Sequence, residues 1–271
     1  MVVVSDVHLG NPLYRARRPF VEFLKFALSH EYSVCLNGDG VDIMQTSVGR
    51  LTRDLSEAAS IFAKFARRNL RVYYTVGNHD IVLEHFLDDW GIVRCVPFLN
   101  VLSGTKRIRV EHGHIYDEMF MRYPKTFEVM TLLGGFALGV HPRVFHTFKI
   151  FNTALIAAGE LRWHFVTKVT DEADALATQI PGEKGVFLRA AKEISERGFD
   201  DVIFGHTHRP GVVDLGHGRR YINTGAWQSN PHFAEIVGGE VNLYPVLGAE
   251  GAVSGAWSRG RGSWMLQRVS D

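Results

Sequence analysis

Cysteine is scarce in this sequence of 271 residues, which contains only Cys35 and Cys95. Two thiols cannot form the disulfide framework of a small secreted domain, so we expect a reducing compartment. Long apolar runs are missing as well. The nearest candidate, 129–140, is about a dozen residues long and includes three glycines, whereas a helix needs ~20 residues to cross a bilayer. The sequence therefore excludes a disulfide scaffold and predicts no membrane-spanning helix.

An excess of charge of either sign is also absent, since 30 basic residues stand against 29 acidic ones and the formal net charge is +1. Proteins that coat nucleic acid carry a basic excess, so we expect no nucleic-acid partner. No leader peptide is recognisable, because the polar residues Asp6 and His8 come so early. We therefore expect a cytoplasmic location. A composition of 46% hydrophobic and 22% charged residues is typical of a globular protein.

Short β-branched runs alternate with helical patterns over most of the chain. The runs that indicate buried strands are 2–4, 34–36, 72–76, 108–110 and 202–204. Helical spacing of apolar residues occurs in 20–28, 55–66 and 186–197, and the last of these ends at Gly198, a typical C-cap. This alternation of strands and helices predicts a layered α/β core.

The pattern changes near the C-terminus, where strands are predicted at 219–222, 233–237 and 241–246. Gly238-Gly239 predicts a two-residue hairpin turn between the last two of them. We therefore expect these three strands to form an antiparallel second sheet. The predicted fold class is α/β, with a two-sheet β-sandwich flanked by helices.

Residues 117–181 differ from the rest, because they are rich in Phe, Met, Leu and Ala and have few strand signals. We predict that they form a helical, lid-like insertion in a main domain of residues 1–247, although ordinary core helices would give the same pattern. The apolar side chains of such a lid could hold an acyl chain or contact a membrane peripherally. Residues 248–271 turn to Gly, Ala, Ser and Arg, which predicts a poorly ordered C-terminal tail.

Short polar motifs stand at the ends of the apolar runs. They are Asp6-Val7-His8, Gly38-Asp39, Gly77-Asn78-His79-Asp80, His112-Gly113-His114 and Gly205-His206-Thr207-His208. Open α/β sheets place their sites at the carboxyl ends of strands, so we expect these residues to meet. One such motif alone is weak evidence. The ordered set supplies carboxylate, amide and imidazole donors in the number that two adjacent divalent ions need.

The types of donor indicate which metal would bind. No thiolate is among them, which disfavours a structural zinc site and favours Mn, with Fe or a catalytic Zn pair as alternatives. Two adjacent ions promote attack on phosphate esters and anhydrides, because they generate hydroxide and neutralise charge on the phosphoryl oxygens. The sequence therefore predicts a dinuclear metal-dependent hydrolase of phosphoric esters or diphosphates.

These ordered motifs resemble the calcineurin-like metallophosphoesterase superfamily, and the resemblance runs from the first strand to about Trp227. It implies a four-layer fold with two sheets packed face to face and helices outside. It also implies two metal ions that share Asp39 as a bridge. The remaining ligands would be Asp6, His8 and His208 for the first ion and Asn78, His112 and His206 for the second.

The resemblance also implies how such a site would work. A hydroxide that bridges the two ions would attack phosphorus in line with the leaving oxygen. His79 would not bind metal but would stabilise the phosphoryl oxygens and protonate the leaving group. Asp80 would hydrogen-bond His79, fixing its orientation and favouring its charged form.

Within the superfamily, the chain looks like the UDP-2,3-diacylglucosamine diphosphatases of lipid A synthesis. That family usually has Arg in place of His79 and Asp in place of His114, and these departures leave the substrate open. We expect Asn78, His79, His114 and Arg122 to contact a small-molecule or lipid-linked phosphate substrate. A location at the periphery of the inner membrane would suit such a substrate.

Other functions are compatible with the same motifs. A phosphomonoesterase or a cyclic-nucleotide phosphodiesterase would present the same phosphoryl group to the metals. A non-catalytic scaffold is a weaker alternative, because a complete set of clustered carboxylates and imidazoles is costly to keep without metal. The sequence does not indicate an oligomeric state.

Overall fold

The computed structural model describes residues 1–11, 17–43, 46–122, 172–227 and 229–246, together with four single positions between 129 and 150. The strands of these ranges are β1 (Val2–Val4), β2 (Val34–Asn37), β3 (Val72–Thr75), β4 (Arg94–Val96), β5 (Leu99–Ser103), β6 (Lys106–Val110), β7 (Asp201–Phe204), β8 (Gly211–Gly216), β9 (Arg219–Asn223), β10 (Gly225–Ala226), β11 (Asn230–Val237) and β12 (Glu240–Pro245). The α-helices are α1 (Arg17–Ser29), α2 (Val48–Arg67), α3 (Glu118–Arg122), α4 (Glu172–Ala177) and α5 (Gly185–Glu196). Short 3₁₀ helices lie at Ile81–Phe86 and His114–Tyr116.

Two mixed sheets contain all these strands. In the first sheet, β1, β2, β3 and β4 are parallel neighbours, and β11 pairs antiparallel with β1. Strands β10 and β12 also pair with β11. The second sheet has the order β5-β6-β7-β9-β8, in which β6, β7 and β9 are parallel and the two outer strands are antiparallel.

Alternation of side chains along β1 shows how the layers stack. Val2 and Val4 are fully buried in the core that the first sheet shares with α1 and α2. Val3, which points to the opposite face of the strand, belongs to the core between the two sheets, together with Ile108 and Ile203. A third core joins the outer face of the second sheet to α4 and α5. The predicted α/β sandwich with outer helices is therefore confirmed.

One prediction about this sandwich is wrong. The strands near the C-terminus do not form an antiparallel second sheet of their own, because β11 and β12 extend the first sheet and β9 lies parallel to β7 in the second. The predicted hairpin between β11 and β12 is present, with φ values of +60° and +87° at Gly238 and Gly239. The sequence identified these strands but not their partners, since apolar alternation does not specify which sheet edge a strand joins.

The strands that the sequence did not reveal lie mainly at sheet edges. β4 ends the parallel run of the first sheet, and β5 and β8 are the two outer strands of the second. Side chains of β5 alternate between half-buried and exposed, so the strand lacks the continuous apolar run that marks a central strand.

The predicted insertion at 117–181 is described only at its two ends. Near the first end is α3, and near the second is α4, whose Ala173 and Ala177 pack with α5 in the core beside the second sheet. The intervening residues 123–171, apart from the four single positions, lie outside the described residues, as does the predicted tail at 248–271. Among the helices that the structure does describe, none is long and apolar enough to cross a membrane.

Candidate metal centre

The polar motifs follow the carboxyl ends of five strands, and the two sheets bring these ends together. Asp6, Asp39 and Asn78 follow β1, β2 and β3 of the first sheet, while His112 and His206 follow β6 and β7 of the second. Hydrogen bonds between neighbouring loops hold them in register. The amide of Asp6 donates to the carbonyl of Gly38 at 3.1 Å, and the amide of His206 donates to Oδ2 of Asp6 at 3.1 Å.

The backbone of these loops turns sharply at the proposed ligands themselves. Five of them have a positive φ, between +50° and +66°. They are Asp6, His8, Asp39, His206 and His208. A left-handed conformation is unfavourable for a residue with a Cβ and persists only where the surroundings enforce it, as they often do at functional sites. Here it ends each strand abruptly and lets the side chains converge.

Two glycines are required near the centre because the side chain of a proposed ligand from another loop lies close to the backbone of each. A Cβ on Gly77 would lie 2.1 Å from Oδ1 of Asp39, and one on Gly38 would lie 2.3 Å from the ring of His112. Gly38 also has a φ of +74°. These glycines therefore allow the loops after β2 and β3 to approach the centre.

The first group of donors surrounds a point between Asp6, His8 and His208. Nε2 of His208 lies 3.0 Å from Oδ1 of Asp6, and Nε2 of His8 lies 3.9 Å from the same oxygen. The ligand atoms of these three residues all lie within 4.8 Å of one another, so they could hold a metal ion. Nε2 of His8 also lies 3.9 Å from Oδ2 of Asp39, which joins this group to a second one.

The second group consists of Asp39, Asn78, His112 and His206. Oδ1 of Asn78 lies 2.9 Å from Nδ1 of His206 and 3.3 Å from Nε2 of His112. Nε2 of His112 in turn lies 3.4 Å from Oδ2 of Asp39. Oδ2 of Asp39 therefore faces both groups of donors, whereas its Oδ1 accepts a hydrogen bond of 2.8 Å from the amide of His79.

The orientation of His112 tests whether a cation fits the second group. Its Nδ1 lies 2.9 Å from the backbone carbonyl of Asn37, which accepts a hydrogen bond and therefore requires the proton on Nδ1. In the neutral ring, the lone pair of Nε2 then faces two acceptor oxygens, on Asn78 and Asp39. Three electron-rich atoms pointing at one another are repulsive unless a positive charge lies between them. The donors thus suit a divalent cation.

The pKa shifts of the buried groups indicate the same need for positive charge. Burial alone would lower the pKa of His112, but the carboxylates of Asp39 and Asp6 outweigh it and raise the pKa to about 10. Burial would raise the pKa of Asp6, yet His208 and His112 hold it at about 2. The metal-free centre therefore retains the second proton of His112, and this proton would leave when a cation binds.

Asp42 is the partner of His79, which corrects the prediction that Asp80 plays this part. Oδ1 of Asp42 lies 3.1 Å from Nδ1 of His79 and 2.7 Å from Nδ1 of His8. Burial works to lower the pKa of His79, but Asp39 and Asp42, with a smaller contribution from Asp80, raise it to about 9, so the ring is charged at neutral pH when no metal is bound. The predicted effect of Asp80 on the charge of His79 is therefore present, whereas the predicted hydrogen bond is not the one that Asp80 makes.

Asp80 has a different set of partners, which lie in β3 and in the loops that follow β2 and β3. Its carboxylate accepts hydrogen bonds from the amides of Gly77 at 2.7 Å and Gly40 at 3.0 Å, and from the hydroxyl of Tyr74. The prediction failed because spacing along the chain cannot show that the loop after β3 turns this side chain inward. Burial and the nearby charge of Asp39 raise the pKa of Asp80 to about 6.

Two further residues were predicted to contact the substrate, and one of them lies in the interior and the other at the surface. His114 is buried beside His112 and Phe120, and within the described residues neither of its ring nitrogens has a hydrogen-bond partner. Burial and the proximity of His112 lower the pKa of His114 to about 3, so the ring is neutral. Arg122 lies at the exposed end of α3.

Two residues near the centre were not singled out from the sequence. Asp42 stands three positions after Asp39, in the same loop as the Gly38-Asp39 motif, so a local signal for it was available. Asp117, whose Oδ2 lies 3.1 Å from Nε2 of His206, follows the last residue of the His112-Gly113-His114 motif by three positions and carries no local signal of its own. Only the fold brings it to the ligand.

Comparison with known proteins identifies relatives of this chain and the family to which it belongs. Two curated relatives of similar sequence are each named UDP-2,3-diacylglucosamine hydrolase. The protein from Azotobacter vinelandii is 23% identical over 256 residues, which cover 90% of this chain and 97% of that protein. The protein from Chromohalobacter salexigens is 24% identical over 241 residues, 84% of this chain and 88% of that protein. The family model described as calcineurin-like phosphoesterase matches residues 1–210, and the chain therefore belongs to that family.

Proposed function

We propose that this protein is a metal-dependent phosphoesterase that hydrolyses a phosphodiester or diphosphate with two divalent ions. The observation that carries the proposal is the position of Asp39, whose Oδ2 lies 3.9 Å from Nε2 of His8 and 3.4 Å from Nε2 of His112. One carboxylate oxygen thus faces both groups of donors. Membership of a phosphoesterase family supports the same reaction class.

Each ion would be held by buried or half-buried donors that the structure already brings together. The first would bind Asp6, His8, His208 and Asp39, and the second would bind Asp39, Asn78, His112 and His206. When bound, the ions would supply positive charge to the phosphoryl oxygens and lower the pKa of water towards neutrality. Mn is the metal we propose, and Fe and Zn remain alternatives with the same donors.

His79 would act on the substrate directly. Its side chain is 23% exposed, while that of its partner Asp42 is fully buried, so the imidazole can meet a ligand from one side and the carboxylate from the other. In the metal-free protein, Asp39 and Asp42 raise the pKa of His79 to about 9 against the effect of burial, which favours the protonated ring. It could stabilise negative charge on a phosphoryl oxygen and donate its proton to the leaving oxygen.

His114 is proposed to contact the substrate from the side of α3. A buried imidazole that finds no hydrogen-bond partner among the described residues is unfavourable, and a polar group of a ligand would satisfy it. Asn78 and Arg122 are further proposed contacts, the first within the centre and the second at its exposed margin. Together they would recognise groups beyond the phosphate under attack.

The names of the curated relatives support a lipid-linked substrate similar to UDP-2,3-diacylglucosamine. Most of the segment 117–181, which the sequence predicts to be a lid for acyl chains, lies outside the described residues. We propose that the protein acts in the cytoplasm, with peripheral contact to the inner membrane. Sedimentation with anionic vesicles tests this contact. Recovery of all the protein in the supernatant would remove the membrane part of the proposal.

A turnover panel in Mn²⁺ tests the substrate. UDP-2,3-diacylglucosamine, simple nucleotide diphosphates, a phosphomonoester, a cyclic nucleotide and an aryl phosphodiester would be compared by kcat/KM. A strong preference for the acylated sugar nucleotide is expected. Preference for the phosphomonoester or the cyclic nucleotide would assign a different substrate to the same centre. Absence of turnover with every compound, in a protein that binds metal, would contradict the proposed enzyme.

A further inference from the structure

His206 lies between two acceptor oxygens, and its neutral ring can donate a hydrogen bond to only one of them. Nδ1 is 2.9 Å from Oδ1 of Asn78, and Nε2 is 3.1 Å from Oδ2 of Asp117. A charged carboxylate is a stronger acceptor than the neutral amide oxygen of Asn78, so the neutral ring places its proton on Nε2, toward Asp117. In the neutral ring, Nδ1 is then left with its lone pair, and this lone pair points at Asn78, a proposed ligand of the second ion.

The backbone holds Asp117 in a defined place. It directly follows the 3₁₀ helix at His114–Tyr116 and precedes α3. Its amide donates to the carbonyl of His114 at 3.1 Å, and its carbonyl accepts from the amide of Met121 at 2.9 Å. These two hydrogen bonds fix the backbone of Asp117, from which its carboxylate reaches His206. A further contact of the imidazole, with the ring of Phe187, limits His206 from another side.

We propose that Asp117 is a positioning residue for the second metal ion and acts through His206. It selects the form of the ring that is protonated on Nε2, which leaves Nδ1 free to coordinate. It also restrains rotation of the ring. A carboxylate that accepts from the second nitrogen of a metal-bound histidine makes the first nitrogen a stronger donor. The inference rests on the proposed function only in that it requires a metal ion at the second group.

Metal binding measured on three variants tests the inference. Asp117→Ala removes the acceptor, Asp117→Asn keeps an oxygen that can accept, and Glu118→Ala removes the neighbouring exposed carboxylate of α3 as a matched control. Titration of the metal-stripped proteins with Mn²⁺ by calorimetry gives the affinity of each ion. For Asp117→Ala we expect one of the two ions to bind roughly 10–100-fold more weakly, because removal of such a partner typically has this effect.

The other variants make the interpretation specific. Asp117→Asn should bind both ions within a few-fold of the wild type, and Glu118→Ala should bind them like the wild type. Two ions bound by Asp117→Ala with wild-type affinity would overturn the inference. If the wild type binds two ions, and Asp117→Ala loses affinity for one, but no phosphoester is hydrolysed by the wild type, the inference stands and the proposed function fails.

A second measurement covers the case in which Asp117→Ala does not fold. Nitrogen chemical shifts of the histidine rings in the wild-type protein loaded with Zn²⁺ report which ring nitrogen carries the proton. We expect His206 to be protonated on Nε2. Protonation on Nδ1 would overturn the proposed role of Asp117 without any substitution.

Discussion

Oδ1 of Asp42, in the loop after β2, lies 3.1 Å from Nδ1 of His79, in the loop after β3. The same carboxyl oxygen lies 2.7 Å from Nδ1 of His8, so one buried side chain orients both a proposed metal ligand and the proposed acid. Burial works to raise the pKa of Asp42, but the two histidines outweigh it and keep the carboxyl ionised. This arrangement makes the charge on His79 dependent on Asp42.

Asp42→Asn is expected to move the alkaline limb of the pH–kcat profile to lower pH. The pKa of His79 is raised to about 9 by Asp39 and Asp42 against the effect of burial. Loss of one of these carboxylates lowers that pKa, so the ring would lose its proton earlier as the pH rises. Profiles of kcat from pH 6 to 10 measure the shift. Glu240→Gln removes one exposed carboxylate and should leave the profile unchanged.

His79→Ala is expected to retain both metal ions and lose about 10²–10⁴-fold in kcat, the usual range for removal of a general acid. The reason is that His79 contacts Asp42 but is not one of the donors proposed for either ion. Metal content and turnover are measured on the same sample. His85→Ala, at an exposed position of the adjacent 3₁₀ helix, is the matched control. Turnover near the wild-type value would show that His79 has another role.

Asp39→Asn should weaken the binding of both metal ions, whereas His208→Ala should weaken only one. Asp39 faces donors on both sides, while His208 is close to Asp6 alone among the carboxylates of the described residues. Mn²⁺ titration of the metal-stripped variants distinguishes the two patterns. An Asp39→Asn variant that still binds one ion with wild-type affinity would contradict a shared carboxylate.

The metal-free protein is expected to lose stability as the pH rises from about 6.5 to 10, since 6.5 is the ordinary pKa of histidine. The pKa of His112 is raised to about 10 and that of His79 to about 9 by nearby carboxylates, despite burial. A raised pKa in the folded state adds stability that is complete below the unfolded pKa and disappears above the folded one.

Urea denaturation in EDTA at pH 6 and pH 10 measures this change. Each unit of pKa difference corresponds to about 1.4 kcal/mol, so a loss of a few kcal/mol is expected. Added Mn²⁺ should remove the part of the dependence that comes from His112, because an ion replaces the proton on this proposed ligand. Equal stability of the metal-free protein at both pH values would contradict the raised pKa values.

Gly77→Ala should lower both stability and metal affinity, because the added Cβ would lie 2.1 Å from Oδ1 of Asp39. That oxygen accepts the amide of His79, so relief of the clash would displace two parts of the centre. Gly49→Ala is the matched control, since nothing lies within 4 Å of the new Cβ in α2. It should be neutral or stabilising by up to about 1 kcal/mol. Identical metal affinity in the two variants would contradict this account of Gly77.

The central strands and the set of proposed ligands could be predicted because their signals are local. A run such as 34–36 is buried on both faces, and a polar residue shortly after it must lie at the carboxyl end of a strand. The edge strands β4, β5 and β8 escaped prediction because partial exposure leaves them without an apolar run. The sheet that β11 joins depends on the free edge of β1, which no local pattern encodes.

By itself, the sequence determined the fold class, the order of the main elements and the chemical types of the donors at the strand ends. The tertiary structure decided which of these side chains contact each other. It placed Asp42 rather than Asp80 against His79, and it brought Asp117 to His206. The physical reason is that such contacts depend on left-handed turns at residues such as Asp39 and on loops from different strands meeting at one edge. Neither is a property of residues that are neighbours in the chain.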